Sequence, residues 1–385
     1  MHDLPILTLI LFLSLLANYL CKKIQMPAVI GQMFIGIVFG PALFNIIKPS
    51  EFITIFAEIG VILLMFIAGL ESNLSLLKKY FKPSMLVAIF GVIFPLIGMY
   101  LASYYHGLNV KDSMFVSVIF AATSVSISVE VLKEMGKLNS KEGITILGAA
   151  VADDVIAILL LSFASFFLGS QNSGSSNIVM VILLQILFFI LVLMFIKFGA
   201  KLMLSLAYHF KINLTILSLA VCFLASYLAE LCDLSSITGA FFAGIAISQT
   251  PFKKKIRRNT ETIGYSLFIP IFFVNIGLSL QFNGIFNQLL LLTTITILSI
   301  FTKLFGAGLG AKLSGFSLNS STIVGSGMVS RGEVALIIAQ IGLSRHLISE
   351  NYYSVIIAAV VITTFLSPFI LRQSIVWKKR LSHHE

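Results

Sequence analysis

Long apolar segments alternate with short polar ones along the whole chain. Charged residues, Pro, Gly or Asn bound about thirteen such segments, most of them long enough to cross a bilayer as a helix. The predicted spans are 4–21, 27–44, 52–77, 84–105, 112–132, 142–168, 177–205, 212–231, 234–249, 260–280, 285–312, 318–343 and 350–376. The pattern predicts an all-α polytopic membrane protein.

Composition supports a fold solvated by lipid. The 385 residues are 58% hydrophobic and 11% charged, whereas an ordinary soluble domain is about 25% charged. So few charges do not cover a water-facing surface, but helices in lipid satisfy their own backbone polar groups. Because only a short segment follows the last predicted span, we expect residues 1–385 to form one transmembrane domain without a soluble regulatory domain.

The basic residues indicate an orientation in the plasma membrane. With the N-terminus outside, nearly all of the 26 Lys and Arg residues fall on the cytoplasmic side, as does the C-terminus. The exceptions are Lys48, Lys111 and Arg345 in outer loops, and Lys303 and Arg331 within spans. The basic run 253–258 is then a cytoplasmic loop near anionic lipid, and no nucleic-acid partner is expected.

Charged residues inside predicted spans are costly and therefore indicate function. Asp153 and Asp154 are adjacent in the sixth span, so on a helix their side chains point about 100° apart. One acid can pair with a base while the other faces a cavity, and Lys303 suits the role of the base. Two carboxylates and one ammonium leave a negative site, at which a small cation and protons compete.

Two spans contain poor helix formers near their centres. Residues 120–128 are small and rich in hydroxyl groups, and residues 325–333 include Gly325 and Gly327. Paired interrupted spans in the two halves of a transporter indicate inverted repeats and a site at the bilayer midplane. Spans two to six and nine to thirteen would form these repeats.

Half-helix ends within a membrane carry partial charges that need compensation. Glu333, Lys303 and Arg331 are candidates for this role. Thr123 and Ser124 are candidate oxygen ligands for a cation. The alternative reading of these two hydroxyls, hydrogen bonding to the preceding turn of their own helix, stays open.

Six stretches carry a resemblance to a known family. They are PAVIGQMFIGIVFGP at 27–41, EIGVILLMFIAGLE at 58–71, AATSVSIS at 121–128, ILGAAVADDV at 146–155, KLFGAGLGAKLSGFS from Lys303, and VSRGEVALI at 329–337. Along nearly its whole length the chain resembles the monovalent cation:proton antiporter-2 family, the NapA-like sodium/proton antiporters. Ser330 stands where that family usually has Pro.

The resemblance implies a homodimer with elevator-like alternating access and two crossed broken helices. It implies a mobile core at about 84–168 and 260–343, a dimerisation scaffold at about 1–77, 212–249 and 350–376, and a linker helix at 177–205. Asp154 is then the carrier of Na⁺, Li⁺ and protons, and Asp153 is the releasable partner of Lys303. The transported Na⁺ would contact Asp154, Asp153 and Thr123, and no cofactor is expected.

The preferred ion and the class of protein each have an alternative. The potassium-efflux branch commonly has Gln in place of the first acid, so Asp153 favours sodium, while potassium/proton or mixed exchange stays open. An intramembrane aspartyl protease needs two acids facing each other from separate helices, which adjacent residues cannot provide. The sequence therefore predicts a secondary active transporter and not an enzyme.

Overall fold

The computed structural model describes residues 3–23, 28–168, 178–232, 234–280, 288–344 and 347–381. Within these residues the regular structure is helical, without a β-strand. Nine helices of this described part are long and apolar enough to cross a membrane, and two shorter apolar helices, Ala28–Phe39 and Ser236–Ser248, lie among them. The all-α polytopic fold is confirmed, and the count of thirteen spans stays a prediction.

The described residues form a succession of α-helices. They are α1 (Asp3–Lys23), α2 (Ala28–Phe39), α3 (Glu51–Glu71), α4 (Leu74–Lys79), α5 (Phe81–Tyr105), α6 (Val110–Ala121), α7 (Val125–Glu134), α8 (Lys141–Leu168), α9 (Ile178–Met194), α10 (Ala200–His209), α11 (Leu214–Leu231), α12 (Ser236–Ser248), α13 (Lys253–Ile263), α14 (Ile269–Leu278), α15 (Leu289–Leu313), α16 (Leu318–Gly327), α17 (Gly332–Ser344) and α18 (Glu350–Leu381). The π-helical turns Phe195–Gly199 and Gly264–Phe268 join α9 to α10 and α13 to α14.

Polar and apolar side chains are distributed as lipid solvation requires. Large apolar side chains such as Phe12 and Leu290 are exposed on the outside, each at 72%. Arg331 and Lys303 are instead among the largest fully buried side chains. A surface of this kind is suited to hydrocarbon, because lipid imposes no cost on exposed apolar groups while it does on charges.

Glycine pairs set two helix crossings that are related by the inverted repeat. Gly36 on α2 meets Gly277 on α14, and Gly69 on α3 meets Gly244 on α12. A Cβ on any of these glycines would clash with a main-chain carbonyl of the facing helix. Small residues allow this close backbone approach between membrane helices. The first helix of each predicted repeat thus crosses the second helix of the other.

Helix packing separates two groups of helices. Helices α5 to α8 pack with α15 to α18, and helices α1 to α3 pack with α11 to α14, while α9 and α10 lie against α11 and α12. The predicted division into core and scaffold stays a prediction, and the packing of two long segments differs from it. Helix α14, predicted with the core, packs on α2 and α3 because of the Gly36–Gly277 crossing, and α18, predicted with the scaffold, packs on α7 and α15 to α17.

Candidate ion-binding site

Two predicted spans are each divided into two helices by a short non-helical segment. Residues 122–124 separate α6 from α7, and residues 328–331 separate α16 from α17. At the start of α17, Gly332 has a φ of +43°, and a Cβ there would clash with the side chain of Ser124. Its N–H donates a hydrogen bond to Thr364 Oγ1 of α18 at 3.0 Å. Glycine is therefore required at the point where α17 begins.

The two interruptions are hydrogen-bonded to each other. The N–H of Ser124 donates to the carbonyl oxygen of Ser330 at 2.9 Å. The hydroxyl of Ser128 donates to the carbonyl oxygen of Gly327 at 2.6 Å. Each bond joins residues about 200 positions apart in the sequence, one from each repeat. The prediction of two broken helices that cross is thus confirmed.

The glycines of α16 lie where this helix packs against its neighbours. Gly325 and Gly327 lie in the last turn of α16, and the interruption begins at Met328. A Cβ at Gly325 would clash with the carbonyl of Leu304, and one at Gly327 would clash with the side chain of Ile146. These glycines therefore let α16 pack closely against α15 and α8 just before the interruption.

A buried ion pair lies beside the first interruption. The Lys303 ammonium is 3.4 Å from Asp153 Oδ1 and 3.3 Å from Oδ2, and both side chains are fully buried. The same ammonium donates a shorter hydrogen bond, 2.6 Å, to the carbonyl oxygen of Ala121 at the end of α6. Lys303 thus has two partners, a carboxylate and the negative end of a half-helix.

Arg331 serves the same half-helix end from the other interrupted span. One guanidinium nitrogen donates to the carbonyl oxygen of Ala122 at 3.1 Å, and another donates to that of Ser299 on α15 at 2.8 Å. The guanidinium carbon lies 6.0 Å from the centre of the Phe120 ring. The sequence identified Arg331 as a compensating charge, but its carbonyl partners required the tertiary structure.

The remaining site residues lie on the same helices. Asp154 follows Asp153 on α8 and Glu333 is the second residue of α17, but the side chains of Asp154 and Glu333 lie outside the described residues. Thr123 Oγ1 and Ser330 Oγ are buried and have no hydrogen-bond partner within the described part of the chain. Sequence analysis noted Ser330 as a departure from the family's usual Pro but did not select it as a site residue.

A second polar cluster lies where α7 meets α3 and the α13–α14 segment. The Lys133 ammonium is 3.3 Å from Glu71 Oε1 and 2.9 Å from Glu261 Oε1. One turn earlier on α7, Glu130 accepts a 2.6 Å hydrogen bond from the hydroxyl of Tyr265. These contacts connect one half of the first broken helix to the other group of helices.

The chain matches a known family model over nearly its whole length. The family model described as "Sodium/hydrogen exchanger, transmembrane" matches residues 8–377. The chain belongs to the sodium/hydrogen exchanger family. This membership confirms the resemblance, the multi-pass membrane character and the prediction of a transporter and not an enzyme.

Individual exchanger-family relatives match over nearly their full length. The Na⁺/H⁺ antiporter of Enterococcus hirae is 46% identical over 374 residues, 97% of this chain and 98% of that protein. The Na⁺/H⁺-K⁺ antiporter GerN of Bacillus cereus is 41% identical over 368 residues, 95% of this chain and 94% of that protein. The structure of the sodium proton antiporter MjNhaP1 from Methanocaldococcus jannaschii at pH 8 has a TM-score of 0.66 at 18% identity, covering 96% and 95% of the two chains. That structural likeness shows the fold.

Proposed function

We propose that the protein is a secondary active antiporter that exchanges Na⁺ or Li⁺ for protons. The observation that carries the proposal is the fully buried Asp153–Lys303 pair, which lies beside the broken helices. Its acid, Asp153, directly precedes Asp154 on α8. The names of the relatives from Enterococcus hirae and Bacillus cereus support the same activity. A buried site with more acid than base favours a cation or protons, and the two compete for the same carboxylates.

Asp154 is the proposed carrier, and Asp153 the releasable partner of Lys303. A cation arriving at the acids competes with Lys303 for the carboxylate of Asp153. The ammonium then keeps its shorter bond to the Ala121 carbonyl, so losing Asp153 does not leave it without a partner. Because desolvation makes an unpaired buried charge expensive, this second partner lowers the cost of breaking the ion pair.

Transport is proposed to proceed by elevator-type movement of one helix group against the other. The mobile core would contain α5 to α8 and α15 to α18, because these helices hold the ion site and pack on each other. The scaffold would contain α1 to α3 and α11 to α14, with α9 and α10 as the linker. This division moves α14 to the scaffold and α18 to the core relative to the sequence-based expectation.

The scaffold is also the proposed dimerisation domain, in a plasma membrane with the N-terminus outside and the C-terminus cytoplasmic. Its exposed apolar side chains, such as Phe12 on α1 and Leu224 on α11, support contact with lipid or with a second copy. The basic run 253–258 supports the orientation, since it would then lie at the anionic cytoplasmic surface.

A potassium/proton or mixed Na⁺(K⁺)/proton exchanger is the second candidate. The observation that favours it is the 41% identity to a Na⁺/H⁺-K⁺ antiporter. Purified protein in proteoliposomes with an internal pH dye distinguishes the two, with Na⁺, Li⁺ and K⁺ added in turn. We expect Na⁺ and Li⁺ to dissipate the pH gradient. A response to K⁺ alone would refute the sodium assignment.

The same assay tests the carrier. Asp154→Asn should abolish exchange with every cation while the protein remains folded, because the group that alternates between cation and proton is gone. Glu58→Gln is the matched control, since it also removes one negative charge but from an exposed position on α3. Exchange by Asp154→Asn at the rate of Glu58→Gln would show that Asp154 is not the carrier.

A further inference from the structure

The two half-helix ends that meet at the crossing are compensated unequally. The end of α6 is compensated by two cationic side chains. Lys303 donates to the carbonyl of Ala121, the last residue of α6, and Arg331 donates to the carbonyl of the next residue, Ala122. At the end of α16, the Gly327 carbonyl receives the neutral hydroxyl of Ser128. A helix C-terminus carries about half a negative elementary charge. The α16 end therefore keeps more of its negative potential at the crossing.

Two buried hydroxyls flank this end. Ser330 is fully buried and Thr123 is 2% exposed, and neither hydroxyl has a hydrogen-bond partner within the described residues. A buried polar atom left without a partner is costly, so such atoms normally have an ion or a water as partner. The Ser124 N–H to Ser330 carbonyl bond joins the segments that carry the two hydroxyls. Both oxygens thus belong to the crossing itself.

The main chain holds Ser330 in place. Its carbonyl accepts from Ser124, and the N–H of Gly332, two residues later, is anchored on Thr364 of α18. The next residue, Arg331, is fixed by its bonds to the carbonyls of Ala122 and Ser299. A hydroxyl on a backbone fixed in this way needs little reorganisation to bind a ligand.

We propose that the hydroxyl of Ser330 is a ligand of the transported cation, supplied by the second broken helix. The proposal rests on the proposed function and adds a ligand to the acids of α8 and to Thr123. Hard cations take several oxygen ligands, more than two carboxylates and one hydroxyl supply. With Ser330, both interrupted spans contribute an oxygen, so binding a cation draws the two broken helices together.

A buried water is the competing occupant. The Nε of Arg331 is also buried without a partner in the described residues, and a water between it and the hydroxyl of Ser330 would satisfy both. The site residues that meet here include more acids than bases, which favours a cation over a water. The acids are Asp153, Asp154 and Glu333, and the bases are Lys303 and Arg331. The experiment separates the two, because only a cation ligand makes Na⁺ affinity depend on Ser330.

The test is Ser330→Ala, measured in two ways at fixed pH. In proteoliposomes, the Na⁺ concentration for half-maximal exchange should rise about tenfold with little change in maximal rate, the loss expected for one buried polar contact. In detergent, the NaCl concentration that gives half of the Na⁺-dependent thermal stabilisation should rise by about the same factor. Ser321→Ala is the matched control, because Ser321 on α16 is also buried with a hydroxyl lacking a partner within the described residues.

Equal Na⁺ dependence of Ser330→Ala and Ser321→Ala would overturn the proposal and leave the antiporter assignment intact. Absence of Na⁺-driven exchange in the unmodified protein would instead remove the proposed function, and this inference with it. Should Ser330→Ala not yield folded protein, Ser330→Thr and Ser330→Val form a pair of equal size. Only the Val variant should lose Na⁺ affinity, and equal affinities of the pair would overturn the proposal.

Discussion

Removing the Lys303 ammonium perturbs the centre of the site in a calculable way. Lys303→Met keeps most of the apolar stem but deletes the 3.3–3.4 Å contacts to Asp153 and the 2.6 Å bond to the Ala121 carbonyl. Both members of the ion pair are fully buried, so water does not replace the lost partner. Breaking a buried pair by removing one member costs about 3–5 kcal/mol.

This free energy corresponds to a measurable fall in thermal stability. At about 2 °C per kcal/mol, the lower end of the range for large domains, the unfolding midpoint should fall by about 6–10 °C. The double variant Lys303→Met with Asp153→Asn should be more stable than Lys303→Met alone, since it contains no unpaired buried carboxylate at position 153.

The assay is thermal unfolding of purified protein in one detergent and at one scan rate, because unfolding midpoints of such proteins depend on rate. Lys312→Met is the matched control, since Lys312 lies on the same helix and is exposed. A midpoint for Lys303→Met equal to that of Lys312→Met would refute the reasoning. So would a double variant no more stable than Lys303→Met, because the unpaired carboxylate would then not be the source of the loss.

Two further predictions address the packing of the helices. In a cysteine-free background, a bifunctional thiol reagent that joins Glu71→Cys to Lys133→Cys should stop exchange reversibly. The reason is that these two side chains are in contact across the proposed boundary between core and scaffold. Full exchange by the cross-linked protein would contradict movement of α7 against α3. Gly36→Ala should destabilise the protein by about 1–3 kcal/mol, since its Cβ meets the α14 main chain, whereas Gly91→Ala has ordinary contacts from 3.6 Å and should be tolerated. Equal unfolding midpoints for these two variants would show that the crossing is not tightly packed.

The amino-acid sequence was sufficient for the features that depend on local pattern. The length and composition of the apolar segments predict a membrane protein. The high cost of a charge in lipid identifies the charged residues within the spans as candidate site residues. Two interruptions were expected from residues 120–128, which are small and rich in hydroxyl groups, and from the glycines and serines of residues 325–333, which form helices poorly. The same pattern selected Gly325 and Gly327, but it did not show that each also allows close contact with a neighbouring helix.

Other features depend on atoms that only folding brings together. Arg331 donates to carbonyls on α6 and α15, and no sequence pattern distinguishes one main-chain carbonyl from another. Thr364 resembles any helical threonine, since its hydroxyl also donates to the Val360 carbonyl of its own helix. Its contact with Gly332 becomes evident only when α17 and α18 are packed.

The sequence by itself determined that this is a membrane protein with two adjacent acids, a buried lysine and two interrupted spans, because each is a property of one segment in hydrocarbon. The tertiary structure decided which acid faces Lys303, how the interruptions bond to each other, and which helices pack as a group. The physical reason is that these contacts join residues about 150 to 240 positions apart in the sequence. Their geometry is set by glycine crossings and main-chain hydrogen bonds that exist only in the folded chain.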